Sequence, residues 1–158
     1  MSKRLFALLA ALAALGLIVA GCGASSSNGT TSASIGKAEF LKKGNAICAK
    51  GNEEIGETFE NFAKEHHLSE KNPPNKAELE EVSKEVTPVI RRQLNGIRAL
   101  GLPEGAEQEA EEVFEAVEEG LEEVEQNPTV LAEEEGEPFE KANELSREIG
   151  LTKCGEEE

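Results

Sequence analysis

The chain contains no aspartate, no tryptophan and no tyrosine, and among its 158 residues there is one methionine, two histidines and three cysteines. Each shortage removes a class of chemistry. A Ser-His-Asp triad is impossible without aspartate, and a glutamate version would still lack the G-x-S-x-G turn that exposes a nucleophilic serine. A calcium loop needs oxygen ligands at alternate positions around a central glycine, and no segment has that pattern. Haem held by histidine and methionine has only Met1 to draw on, and no Cys-x-x-Cys-His offers covalent attachment. A di-iron bundle site wants Glu-x-x-His, whereas Ala63 and Lys64 stand three residues before His66 and His67. No cofactor and no resident metal are expected. The aromatic set is six phenylalanines and the formal net charge is −16. With so few stacking faces and a surface that repels phosphate, nucleic acid is excluded as a partner.

What is abundant is glutamate, which supplies all 32 acidic residues. Glutamate is tolerated along a helix where aspartate prefers caps and turns, so the bias points to helices. The runs Glu53-Glu54, Glu80-Glu81, Glu111-Glu112, Glu118-Glu119, Glu122-Glu123 and Glu133-Glu134-Glu135 read as solvated helix faces, which leaves diffuse cation binding open. No two of them are marked as a buried catalytic pair, and few aromatics remain to line a sugar cleft. His66 and His67 are adjacent, so on a regular helix they point about 100° apart and cannot share a site. They read as a solvated helix end. An enzyme is not expected.

The N-terminus opens with Lys3 and Arg4 and continues as the uncharged apolar run 5–20, the pattern of a secretory signal peptide. It falls short of the roughly 20 apolar residues of a stable span. Val19-Ala20-Gly21-Cys22 resembles the lipobox of bacterial lipoproteins. That resemblance implies diacylglycerol on the Cys22 thiol and cleavage before Cys22, so that residues 1–21 are a lipoprotein signal peptide. A free Cys22 after an ordinary signal peptide, and an uncleaved anchor, are the competing readings. Residues 22–36 then form a lipidated tether, small and polar, spanning about 20 Å as a random coil. An acidic domain is repelled by an anionic bilayer, so the membrane is expected as a partner through lipid at Cys22 alone.

Loss of Lys3 and Arg4 leaves 14 Lys and Arg against 32 Glu, a formal charge of −18. About 120 residues after the tether suit one modest core. Cys48 and Cys154 remain, and in an exported chain an even pair is most simply a disulfide. Metal ligation is the poorer alternative, because neither has a second ligand at usable spacing.

Four helices are predicted. The first covers 37–67, with Leu41, Gly44, Cys48, Gly51, Ile55, Phe59 and Phe62 in steps of three and four, a core-facing stripe that turns Cys48 inward. Gly44 and Gly51 would allow a neighbouring helix to approach. The second covers 76–100 after Pro73-Pro74, with Pro88 expected to kink or divide it. The third covers 106–126 and the fourth 129–149, interrupted near Gly136 and Pro138, with Gly150 as its C-cap. The expected fold is an all-α antiparallel up-down-up-down four-helix bundle with one disulfide over 37–155, followed by a frayed acidic tail at 156–158. Phe40, Asn45-Ala46-Ile47-Cys48, Gly150-Leu151 and Cys154-Gly155 are similar to elements of small secreted or lipid-anchored helical proteins of actinobacteria. The resemblance implies the bundle and the disulfide, and no activity.

Two functions fit an extracytoplasmic, lipid-anchored bundle of this kind. A non-enzymatic interaction module for another envelope protein comes first, and it would show an exposed apolar patch over a packed interior. The alternative, a binding protein for a small ligand or a weakly held cation between the helices, would show a cavity of several hundred Å³ lined by residues such as Phe59, Phe62, Phe114 and Phe139. Intact mass of the membrane-extracted protein should give a diacylglyceryl chain starting at Cys22, with two further thiols alkylated only after reduction. An unlipidated mass, or thiols free from the start, sinks the anchor or the bridge respectively.

Overall fold

A computed structural model describes residues 34–132 and 137–156. The expected signal peptide, Cys22, most of the expected tether, residues 133–136 and the last two residues lie outside the described residues. What is described is all-helical, with no strand: α1 (Lys37–Glu65), α2 (Lys76–Arg98), α3 (Glu107–Gln126) and α4 (Glu140–Ile149). A 3-10 turn, Pro128–Ala132, follows α3. The first three helices end within two residues of the sequence expectation. The fourth is shorter: its predicted first turns are the 3-10 turn, and α4 proper starts only after Pro138.

Local chemistry accounts for the boundaries. Asn75 accepts from the backbone N–H groups of Ala77 and Glu78, and Glu78 returns a bond from the Asn75 N–H, a complete capping box that opens α2. α2 then runs through Pro88 without dividing; Pro88 lies on the solvent face, where the partnerless carbonyl one turn earlier can meet water. Gly150 ends α4 at φ 105°, and Leu151 N–H reaches back to the Ser146 carbonyl, the left-handed termination glycine makes inexpensive. Ile35, placed by sequence in the tether, already belongs to the domain: it donates to Leu102 O and accepts from Glu104 N in the turn between α2 and α3.

The helices pack in chain order, α1 on α2, α2 on α3 and α3 on α4, with the 3-10 turn against α2 and α3. α1 and α4 do not pack on each other directly. The segment after α4 joins them instead. Cys154 is bonded to Cys48, with Cα atoms 5.0 Å apart. Asn45 donates to Gly150 O (3.0 Å) and accepts from Lys153 N (2.7 Å), and Asn52 donates to Lys153 O (2.8 Å). Gly44 makes room for Leu151 of this segment rather than for a helix, while Gly51 does admit α2, through Gln93. The main core gathers Phe40, Cys48, Leu94, Phe114, Leu121 and Leu151. A satellite of Phe62, Val82 and Val86 closes the other end of the α1–α2 pair.

Phe59 corrects the sequence expectation. It belongs to the apolar stripe of α1 yet is 41% exposed, because its side of the helix looks into the seam that α4 leaves open.

The bridge closes a loop with a sequence separation of 106, and chain-entropy arguments assign loops of about 100 residues roughly 4.7 kcal/mol. Replacing Cys48 and Cys154 together by alanine should lower the unfolding free energy by about 3–5 kcal/mol in urea denaturation. The variant should match the reduced wild type; equal stability of oxidised and reduced wild type would contradict the account.

Candidate ligand cleft

The open seam is a cleft of about 310 Å³. Ile90, Gln93 and Leu94 of α2 and Phe114 and Val117 of α3 line it, between Ile55 and Phe59 of α1 on one side and Phe139 and Asn143 of α4 on the other. The disulfide lies in its wall, contributed by both Cys48 and Cys154.

Two features set its aromatic walls. A side chain at Gly120 would collide with the Pro138 carbonyl and the Phe139 ring, so the absence of one lets the start of α4 press onto α3 and brings Phe139 to the cleft. Phe114 is backed by Arg98, whose guanidinium lies 5.2 Å from the ring centroid while it pairs with Glu118 at 2.5 Å. That hydrogen bond holds the Glu118 carboxyl below its ordinary pKa and raises that of Arg98.

The polar groups are few and inward. Ser146 is only 2% exposed and lines the cleft with its short polar side chain. Gln93 spends both amide hydrogens on Cys48 O and Asn52 Oδ1 (3.1 Å each), which leaves its carbonyl oxygen as an acceptor. Glu137 and Glu156 stand exposed at the rim and are the charged residues of the lining.

A second hollow, a groove of about 460 Å³, adjoins at Phe59. Its walls come from the end of α1, the Leu68–Pro74 loop, the start of α2 and Leu131, and Ser69 is their one polar residue.

The expected cavity residues are therefore only partly together. Phe59, Phe114 and Phe139 line the cleft; Phe62 lies in the satellite core and lines the groove. His66 is not a freely solvated end: it stacks on Phe62 with centroids 4.1 Å apart and faces Glu78 Oε1 at 3.5 Å. Among the described residues no group of three His, Cys or Glu side chains could hold a metal ion, and no helix is long and apolar enough to cross a membrane. Ser146 and Gln93 were not singled out by sequence reasoning. Comparison with known proteins returned no matching family model, curated protein or solved structure, so the chemistry of the cleft carries the functional argument.

The Arg98–Glu118 pair gives a pH test. Because the folded-state pKa of Glu118 is depressed from 4.5, its stabilising contribution is present above that value and is lost as pH falls through the lower folded value. Glu118→Gln should be less stable than wild type at pH 7 in urea denaturation, and the difference should vanish in strong acid. A difference that persists there would assign the effect to something other than the charge.

Proposed function

We propose that the chain is an extracytoplasmic binding protein, lipid-anchored through Cys22, that holds a small ligand between its helices without transforming it. The observation that carries this reading is the unfilled seam: a cleft with mostly apolar walls and a few polar side chains, Ser146, Gln93 and Asn143, in its lining. Pockets of this kind, apolar with a few converging polar groups, suit small-molecule recognition. In the same reading the four helices run up-down-up-down with α2 bent at Pro88, and the anchor follows from the lipobox resemblance, which is also what links the chain to small lipoproteins of the cell envelope. A catalytic role draws no support from the cleft, whose lining carboxylates stand exposed at its rim.

One observation favours a second reading, a module that docks on another envelope protein. Phe59 is the large hydrophobic side chain exposed among the described residues, and single exposed apolar residues can anchor an interface. It also faces the cleft, so ligand binding accounts for it without a second protein.

Calorimetric titration with N-phenyl-1-naphthylamine, an uncharged apolar probe, separates the two. One molecule should bind per chain, and Asn143→Trp, which fills the cleft from its half-buried rim, should weaken binding at least tenfold while circular dichroism stays helical. Absence of binding, or binding that the tryptophan leaves unchanged, overturns the cleft as a site.

A further inference from the structure

The cleft and the groove lie along the same face of α1 and share Phe59 in their linings, and they differ in polarity. Along α1, Cys48, Asn52, Ile55 and Phe59 line the cleft, while Phe59, Phe62 and Ala63 line the groove. Steps of three and four keep these residues on one helix face. From Asn52 to Ala63 the helix rises about 16 Å. The cleft end offers the Ser146 hydroxyl, Asn143 and the Gln93 carbonyl; the groove end offers Ser69 alone among apolar walls. Phe59 sits where the two meet, in both linings, and is the large side chain left in water. A ligand confined to the cleft would leave Phe59 half covered and the groove empty.

Charge selects the head. Among the described residues no Lys or Arg lines either hollow, and the charged groups of the cleft are Glu137 and Glu156. The whole chain carries −16, a field that concentrates cations and repels anions at moderate salt. An ammonium head at the cleft would face carboxylates and the rings of Phe59 and Phe139.

Building on the binding reading above, we propose that the ligand is a single-chain cationic amphiphile taken up as a monomer from water. Its ammonium head lies in the cleft near Ser146, and its alkyl chain passes over Phe59 into the groove beside Phe62 and Leu68.

The chain has no tryptophan, so Phe59→Trp installs a single reporter at the junction. Its emission would be titrated with octyl-, decyl- and dodecyltrimethylammonium below their micelle concentrations, with dodecyl maltoside and dodecyl sulfate as head-group controls. The expected result is saturable one-to-one binding that tightens about fourfold per added methylene, with dodecyl sulfate at least tenfold weaker than the dodecyl cation. Leu68→Glu and, from an exposed position on the groove wall, Pro73→Glu should each abolish the gain from octyl to dodecyl. Both add negative charge, so adsorption of a cationic surfactant on an acidic surface would survive them; a chain-length gain unchanged in both overturns the proposal. An affinity flat with chain length also overturns it, while leaving the cleft reading intact if N-phenyl-1-naphthylamine still binds. Equal affinity for cation and sulfate overturns the head assignment. Failure of every probe, the naphthylamine included, overturns the cleft reading itself.

Discussion

The structure depends on a clasp between its two ends. Cys48 is bonded to Cys154, and Asn45 and Asn52, three residues before and four after Cys48, grip the backbone of the same segment. Their spacing places all three on one face of α1, so covalent and hydrogen-bonded contacts act along a single line. The segment they hold is not helical and satisfies only part of its backbone by its own turn, in which the Cys154 and Gly155 N–H groups donate to Leu151 O. The two asparagines supply partners for the Gly150 and Lys153 carbonyls and for the Lys153 N–H, which would otherwise be costly to bring against the core. α4 has only ten residues, too few to be stable alone in water. It is held by α3 along its length and by the clasp at its end.

That arrangement also explains the cleft. A bundle whose first and last helices met would fill the seam with their side chains. Here a stretch of coil reaches α1 in place of α4, and Gly120 seats the beginning of α4 on α3. α1 and α4 are thus tied at one end without being zipped together, and the space between them is floored by α2 and α3. The acid-rich surface adds little cohesion. Its cross-helix pairs, Arg92 with Glu54, Arg91 with Glu125, Arg98 with Glu118 and Lys141 with Glu119, are wholly or largely exposed, and such pairs contribute little. The rest of the glutamates repel one another, so the burden falls on the core and the disulfide.

The sequence made the helices legible because their apolar stripes keep a period of three and four over many turns, and because Pro73-Pro74, Asn127-Pro128 and Gly150 punctuate them. The bridge was legible from cysteine parity, once the N-terminal pattern led to the expectation of export. The capping box at Asn75 and Glu78 was present in the letters and passed unread. Other features were not encoded locally. A stripe says which face of α1 is apolar and not whether anything covers it, so Phe59 and Phe62, one turn apart on the same stripe, have opposite fates. Ser146 looks like an ordinary polar position of a short helix until α3 and the clasp enclose it.

Site and scaffold are therefore not separable in this fold. The two sulfur-bearing residues that close the clasp also form part of the cleft wall, and Gln93 is oriented by the Cys48 carbonyl and by Asn52 of the clasp. Breaking the bridge would release the covalent tie that keeps the α4 end beside α1 and leave the Asn45 and Asn52 hydrogen bonds to hold that wall of the cleft. Disulfides persist in oxidising compartments and are rare where thiols are kept reduced. A cleft built on this bond suits an oxidising compartment, as the proposed anchoring through Cys22 requires. The seam that α4 fails to close and the bond that stops it opening further are two consequences of one connection.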